Sequence, residues 1–254
     1  MSQVDKANAF AALHVPGTPV VIYNIWDAGS AKAVAGAGAK AIATGSWSVA
    51  EAQGYPDGEN LPLDTLLAVA TRIVDSTDLP VSIDFEGGYA ADPEPLADNI
   101  TALIGTGAIG LNFEDQVVGG DGLYPLETQV TRIKSVRAAA DAAGVPLFIN
   151  ARTDLFLKSK PDAHADHMAE ALDRAAGYAE AGGSGFFIPG LTDHDMIARV
   201  CDATSLPVNV MMRGKLASVS EVAGLGVARA SYGPGPFANA MAQAADGFTT
   251  AAAS

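Results

Sequence analysis

The chain alternates eight short apolar runs with amphipathic segments along its 254 residues, and this rhythm restricts the folds that it can adopt. Each run has the length and aliphatic content of a strand buried on both faces. The predicted strands are Val20–Trp26, Ala41–Ser46, Val81–Phe85, Gly110–Glu114, Leu147–Ala151, Gly185–Pro189, Val208–Met212 and Ala228–Tyr232. Eight β–α units in about 250 residues are typical of an α/β protein with a (β/α)8 TIM barrel.

The segments between the runs carry helical signals. Leu63–Asp75 repeats apolar residues at steps of three and four, the spacing of one helix face. Gly144 and Gly182 follow two further helical patterns and are predicted C-cap positions. Asp27 precedes another helical segment and is interpreted as an N-cap rather than a catalyst.

A doubly wound sheet is the alternative architecture for this pattern. No G-x-G-x-x-G follows the first strand, and eight even repeats favour a closed barrel. No linker or shift of composition divides the chain. We therefore expect one domain over residues 1–254, with a short N-terminal lead-in and a frayed C-terminal tail at T-T-A-A-A-S.

Charge and composition exclude several classes of partner. Fifteen Lys and Arg against 29 Asp and Glu give a net charge of −14, which repels nucleic-acid phosphates. No apolar stretch reaches the roughly 18–20 residues of a membrane span, and M-S-Q-V-D-K-A-N lacks the regions of a signal peptide. The single cysteine, Cys201, is consistent with a reducing compartment. We expect a cytoplasmic protein that binds neither nucleic acid nor membrane.

Charged residues follow three of the apolar runs at the point where each run ends. The motifs are S-I-D-F-E-G-G-Y at 82–89, N-F-E-D-Q at 112–116 and N-A-R-T-D at 150–154. In a barrel, functional residues lie at the C-terminal ends of the strands. The three motifs therefore predict one shared site.

The residue types in these motifs indicate a metal and an anion. Asp84 and Glu86 are two apart and point to the same side of a strand, and Glu114 ends the next strand. Three facing carboxylates repel one another unless a cation lies among them, and oxygen ligands suit Mg²⁺, with Mn²⁺ as the alternative ion. Arg152 is a planar fork that can hold a carboxylate or phosphoryl group. The pattern predicts an enzyme for a small anionic substrate.

Each of these residues also has a simpler interpretation. The carboxylates could be exposed groups at strand ends, and Arg152 could neutralise them in a structural ion pair. Asp57 lies between Pro56 and Gly58, in an ordinary turn sequence. Trp47 could pack at the barrel mouth without contacting substrate.

The ordered motifs resemble the phosphoenolpyruvate mutase/isocitrate lyase superfamily. Besides the three segments above, the segments that match the superfamily pattern are G-S-W-S-V-A, G-Y-P-D, F-I-P-G-L, P-V-N-V-M and A-R-A-S-Y-G-P-G-P. The similarity extends from about Tyr23 to Met241. It implies a TIM barrel and an enolate chemistry that depends on magnesium.

The resemblance also implies a role for each matching residue. The position matching Asp84 binds magnesium, and those matching Glu86 and Glu114 complete the metal shell, often through water. The superfamily more often has Asp where Glu86 stands. The serine matching Ser46 and its neighbouring amides hold the substrate carboxylate. The predicted substrate-binding residues are Tyr23, Ser46, Trp47, Arg152 and Asn209, and the predicted catalytic residues are Asp57 and Arg152.

The loop after E-D-Q departs from the superfamily pattern. Lyases that cleave isocitrate or methylisocitrate have K-[KR]-C-G-H there, with the cysteine as catalytic acid, whereas this chain has V-V-G-G-D-G-L-Y-P. The mutase-like loop with lysine and asparagine is also missing. The general acid or base therefore stays unassigned by the resemblance.

The expected function is to break or form a C–C or P–C bond next to the metal-stabilised enolate of a small 2-oxo acid or phosphonate. The alternatives are a barrel that binds a 2-oxo acid without turnover and an unrelated metal-dependent aldolase. The resemblance also implies a homo-oligomer, a dimer or tetramer, in which subunits commonly exchange the last helix. The helix after Gly235 is predicted to be short.

Overall fold

The eight strands form one parallel sheet that curls into a barrel. The computed structural model describes residues 1–253, and its strand order is β1-β8-β7-β6-β5-β4-β3-β2. The strands are β1 Val20–Ile22, β2 Ile42–Ala43, β3 Val81–Asp84, β4 Gly110–Glu114, β5 Phe148–Arg152, β6 Gly185–Phe187, β7 Val208–Met211 and β8 Arg229–Ser231. The predicted (β/α)8 barrel is confirmed.

Helices follow the strands and cover the outside of the barrel. They are α1 Gln3–Ala12, α2 Ala28–Gly36, α3 Ser46–Ala52, α4 Leu63–Asp75, α5 Pro93–Gly105, α6 Leu126–Ala142, α7 Leu155–Lys158, α8 Met168–Glu180, α9 His194–Ala203, α10 Val219–Gly224 and α11 Gly235–Ala252, with a 3-10 helix at Pro161–His167. Asp27 caps α2, as predicted, because its side chain accepts from the Ser30 N–H. Gly144 and Gly182 follow α6 and α8 with positive φ, which is the predicted C-cap conformation.

Two predicted strands were too long at the seam where the barrel closes. The prediction extended β1 to Trp26 and β2 to Ser46, whereas β1 and β2 meet only at an isolated parallel bridge between Ile25 and Thr44. Ser46 is the first residue of α3, because Gly45 takes the extended N-cap conformation before it. Ser46 and Trp47 therefore lie on a helix rather than at a strand end.

The N-terminal lead-in is a helix that closes the bottom of the barrel. Ser2 and Asp5 form a capping box at the start of α1. The Gln3 side chain donates to the carbonyl oxygens of Ile104 and Ala108 at 2.9 and 2.8 Å, just before β4. The Phe10 ring meets the ring of Phe148, the first residue of β5, edge to face at 5.2 Å.

The end of the chain differs from the prediction. Instead of a short last helix and a frayed tail, α11 runs for 18 residues. Residues 249–252 of the predicted tail are helical, and Ser254 lies outside the described residues. Alanines supply much of this helix and favour its continuation. No helix within residues 1–253 has both the length and the hydropathy to cross a bilayer.

Gly190 lets α7 pack closely on the loop after β6, which gives a stability prediction. Its φ is +94°, and an added Cβ would lie 2.6 Å from the Phe156 carbonyl oxygen. Gly190→Ala should therefore lower the free energy of unfolding by about 3 kcal/mol, from backbone strain and overpacking. Gly36→Ala, where an added Cβ meets nothing within 4 Å, is the control and should be neutral or slightly stabilising. Urea denaturation measures both, and equal midpoints for the two variants would contradict the prediction.

Candidate active site

A cavity of about 470 Å³ opens at the C-terminal ends of the strands. This end of a (β/α)8 barrel is where catalytic residues are found. Four of its polar lining residues, Asp84, Asn112, Arg152 and Ser231, lie on strands. The polar lining comprises Asn24, Ser46, Ser48, Asp57, Asp84, Asn112, Arg152, Arg213 and Ser231, and the apolar lining includes Trp47, Leu157, Phe187, Pro189, Met211, Pro234 and Ala238.

Asp84 ends β3 and presents a carboxylate to the cavity. Its Oδ2 accepts from the Ser46 backbone N–H at 3.0 Å, and its own N–H donates to Thr44 Oγ1 at 2.8 Å. Its Oδ1 is buried and has no hydrogen-bond partner among residues 1–253. The Ser46 backbone amide thus orients the Asp84 carboxylate.

Glu86 lies just beyond Asp84 in a strained backbone conformation, with φ of 50°. Its Oε2 accepts from the Glu59 backbone N–H at 2.9 Å. Burial, followed by the charges of Asp57 and Asp84, raises the pKa of Glu86 to about 8. Carboxyl groups that raise one another's pKa in this way offer a favourable position to a cation.

Arg152, at the end of β5, is held by two carboxylates. Its Nη1 lies 2.9 Å from Glu114 Oε2, while Nε and Nη2 donate to Asp154 at 2.6 and 3.0 Å. Burial raises the pKa of Glu114, and the Arg152 charge opposes that shift. A guanidinium has five N–H groups, so these three bonds leave two for a ligand in the cavity.

Asp115 fixes Asp154, although sequence reasoning assigned it no role. Its side chain is fully buried, and its Oδ1 accepts from the Asp154 backbone N–H at 2.9 Å. Its Oδ2 accepts from the Tyr178 hydroxyl at 2.7 Å and from Arg174 Nη1 at 3.1 Å. Asp154, which holds Arg152, is therefore fixed to α8 through Asp115. This contact joins residues far apart in the sequence, so no local motif could reveal it.

Asp57 and Trp47 lie at the edge of the cavity. Partial enclosure and the Asp84 charge raise the pKa of Asp57, which a hydrogen bond from Ser46 opposes. Trp47 lines the cavity and packs edge to face on Phe237 at 5.6 Å.

Tyr23 and Asn209, both predicted to bind substrate, do not line this cavity. Tyr23 directly follows β1 and is 43% exposed, and its ring lies 5.4 Å from that of Tyr232. Asn209 is buried within the barrel, and its amide has no hydrogen-bond partner among the described residues. Asn112 lines the cavity but was not predicted as a site residue. Its two-residue spacing from Glu114, which places both on one face of β4, is the signal that could have identified it.

The carboxylates fit a magnesium ion that keeps most of its water. Within residues 1–253, no three His, Cys, Asp or Glu side chains converge closely enough to ligate one ion directly. One oxygen of Glu114 is taken by Arg152 and one of Glu86 by the Glu59 amide. Asp84 Oδ1, in contrast, is buried and unpartnered. Mg²⁺ is usually held by one or two carboxylates and retains several waters, which this donor set matches.

The fold is a (β/α)8 barrel with acidic side chains and an arginine at the C-terminal ends of its strands. The family model for phosphoenolpyruvate phosphomutase matches residues 10–252. The chain is 32% identical over 214 residues to 2-methylisocitrate lyase of Escherichia coli K12, covering 82% of this chain and 70% of that one. The chain therefore belongs to the phosphoenolpyruvate mutase/isocitrate lyase superfamily, whose members are lyases or mutases.

Solved structures extend this comparison. A Burkholderia cenocepacia J2315 protein, provisionally assigned as a phosphonomutase, is 43% identical, with a TM-score of 0.96 over 98% of this chain and 100% of that one. A phosphonopyruvate hydrolase in complex with oxalate and Mg²⁺ is 20% identical, with a TM-score of 0.84 over 98% of this chain and 87% of that one. At 20% identity, the second similarity shows only that the two proteins share a fold.

The raised pKa of Glu86 predicts a pH dependence of definite sign. Because the folded-state pKa is about 8 against 4.5 for an unperturbed glutamate, the folded protein binds an extra proton between these values. Without added metal, the free energy of unfolding should therefore fall as the pH rises from about 4.5 to about 8, by up to about 1.4 kcal/mol per pH unit for one proton. Urea denaturation in a chelator measures this slope, and Glu86→Gln should flatten it. A stability that rises across this window would contradict the assignment.

Proposed function

We propose that the protein is a Mg²⁺-dependent enzyme that breaks or forms a C–C or P–C bond next to the enolate of a small 2-oxo carboxylic acid. One observation carries the proposal. Asp84, whose buried Oδ1 has no protein partner, and Arg152, which has two unused N–H groups, line the same cavity. A metal-binding oxygen and a fixed cation in one pocket are suited to an anion that carries several oxygens.

The relatives support this chemistry. One relative named above is a 2-methylisocitrate lyase, and the phosphonopyruvate hydrolase was solved with oxalate and Mg²⁺. Both names concern small carboxylic acids or phosphonates. We therefore extend a substrate of this kind, such as phosphonopyruvate, oxaloacetate or a 2-alkylmalate, to this chain.

The metal would be held by Asp84 directly and by Glu86 and Glu114 through water. Bound Mg²⁺ supplies Lewis acidity toward carbonyl and carboxylate oxygens. Glu86, whose pKa is raised to about 8, would lose its proton when the ion binds, which the cation favours. Glu114 has a second task, because it also holds Arg152 in place at 2.9 Å.

Arg152 binds the anionic end of the substrate and offsets the negative charge that develops during reaction. Its side chain is already clamped by Glu114 and Asp154, so little conformational freedom is lost on binding. Such preorganised charges contribute most when water is excluded. The structural ion pair and the binding role are therefore compatible, since the former fixes the geometry of the latter.

Asp57 is our candidate for proton transfer. The loop after E-D-Q supplies no lysine, cysteine or histidine, and Asp57 is an acidic group that lines the cavity and whose pKa is raised by partial burial and by the Asp84 charge. A pKa closer to neutrality suits a group that must both hold and release a proton. Without such a group, the protein would bind 2-oxo acids but not convert them.

Oxalate, a mimic of the pyruvate enolate, tests the assignment of Asp84 and Arg152 by isothermal titration calorimetry. The wild type should bind oxalate only with Mg²⁺ present. Asp84→Asn should lose Mg²⁺ binding, whereas Arg152→Lys should retain it and bind oxalate roughly ten- to a hundredfold more weakly, because lysine lacks the planar fork. Unchanged oxalate affinity in Arg152→Lys would reduce Arg152 to an ion-pair residue.

Arg137→Lys is the matched control, since Arg137 is also hydrogen-bonded but lies outside the cavity, on the carbonyl oxygens of Leu147 and Gly182. It should lose stability and keep wild-type oxalate affinity. A screen of 2-oxo acids, phosphonopyruvate and alkylmalates for consumption of the substrate, with and without Mg²⁺, separates an enzyme from a binding protein. Binding of oxalate without turnover of any of these would favour the binding protein.

We also infer a homo-oligomer, a dimer or tetramer, built on α11. From Met241 to Ala253 every residue is exposed, and Phe248 is 75% accessible to solvent. A separate apolar groove lies open beside β1, lined by residues that include Val15, Val21, Tyr23 and Val34. An exposed apolar helix and an exposed apolar groove on one chain can each cover the other between subunits.

Light scattering after size exclusion tests this assembly at micromolar concentration. The wild type should have the mass of a dimer or tetramer. Phe248→Glu should shift it toward the monomer, because a charge would be buried in the interface. Val4→Glu is the control on another exposed helical position and should leave the mass unchanged. A monomeric wild type would refute the inference.

A further inference from the structure

A fully buried arginine inside the barrel contacts none of the carboxylates described above, although Asp84 is near enough for the two charges to attract. Arg229, the first residue of β8, is 0% exposed. Its Nε donates to Ser231 Oγ at 3.0 Å, while Nη1 and Nη2 have no hydrogen-bond partner among residues 1–253. Burial lowers its pKa to about 10, so the side chain is charged at neutral pH.

Arg229 contacts no carboxylate, which distinguishes it from Arg152 and Arg174. Arg152 and Arg174 each touch acidic side chains at 2.6 to 3.1 Å. Asn209, paired with Arg229 in the sheet register, has both amide atoms unpartnered as well. An unpaired buried charge is costly, and an apolar residue at such a place would often be more stable. The guanidinium lies over the Phe10 ring, 5.9 Å from its centroid, but this contact leaves Nη1 and Nη2 without a hydrogen-bond acceptor.

Ser231 links Arg229 to the cavity. It lies two residues further along β8, on the same face of the strand, and lines the cavity together with Asp84 and Arg152. A guanidinium can only donate hydrogen bonds, so Ser231 Oγ is the acceptor in this pair. No described protein atom accepts the Ser231 hydroxyl proton, and the cavity is the free space beside it.

We infer that Ser231 is a substrate-binding hydroxyl, oriented by Arg229, that donates to an anionic oxygen of the ligand. The inference rests on the proposed function, because it assigns a third contact to the same small oxyacid. Arg229 is a positioning residue in this arrangement. It occupies the Ser231 lone pair, turns the O–H toward the cavity and makes it a stronger donor, since hydrogen bonds in a chain polarise one another.

The same calorimetry tests the role of Ser231. Ser231→Ala should retain Mg²⁺ affinity and bind oxalate roughly ten- to a hundredfold more weakly, the loss expected for one hydrogen bond to a charged group. Ser82→Ala is the matched control, because Ser82 is an equally buried strand serine that does not line the cavity, and it should bind oxalate as the wild type does.

Arg229→Met separates positioning from packing. It should keep or raise the thermal midpoint, because an unpaired buried charge is removed, and still bind oxalate several-fold more weakly. A lowered midpoint with wild-type oxalate affinity would make Arg229 purely structural and overturn its positioning role.

The outcomes distinguish this inference from the proposed function. If the wild type fails to bind oxalate with Mg²⁺, the proposed function fails and the inference with it. If the wild type binds and Ser231→Ala binds equally well, only the assignment of Ser231 is wrong. A loss in Ser231→Ala alongside an unchanged Ser82→Ala supports it.

Discussion

The shared arginine between two carboxylates is the interaction on which the cavity floor depends. Arg152 joins Glu114 on β4 to Asp154 beyond β5, and Asp115 joins Asp154 to α8 through Tyr178. Removing one partner would leave a buried charge uncompensated, which costs about 3–5 kcal/mol. The network is therefore cooperative, and the position of Arg152 depends on residues that do not line the cavity.

A second constraint is the backbone conformation of the loop that follows β3. This loop carries Glu86 and contains residues in an unfavourable region of φ. Glu86 and Tyr89 both have positive φ, at 50° and 58°, a region that costs such residues about 1–3 kcal/mol each. Buried Arg132 offsets this strain by donating to the carbonyl oxygens of Gly87, Ala90 and Ala91. The loop is thus held from behind, and the Glu86 carboxylate faces the cluster without freedom to relax away.

Features set by residues close together in the sequence could be predicted, whereas features set by tertiary packing could not. The barrel follows from periodicity, and the motif ends bring Asp84, Glu114 and Arg152 to one edge because parallel strands share a direction. The Asp115–Tyr178 contact and the burial of Arg229 depend on how α8 and the barrel interior pack, so no short motif encodes them. Strand ends were overestimated because apolar composition continues past the last paired residue, and the length of α11 was missed because alanine-rich helices give a weak periodic signal.

The helix that closes the bottom of the barrel bears on how the chain folds during synthesis. The hydrogen bonds of Gln3 go to residues that lie 101 and 105 positions further along the chain. The Phe10 ring packs against Phe148, which is synthesised later still. Helix α1 therefore lacks its full set of partners until Phe148 has been synthesised. Its local capping box can hold the helical turn in that interval, while its apolar face stays open to chaperones.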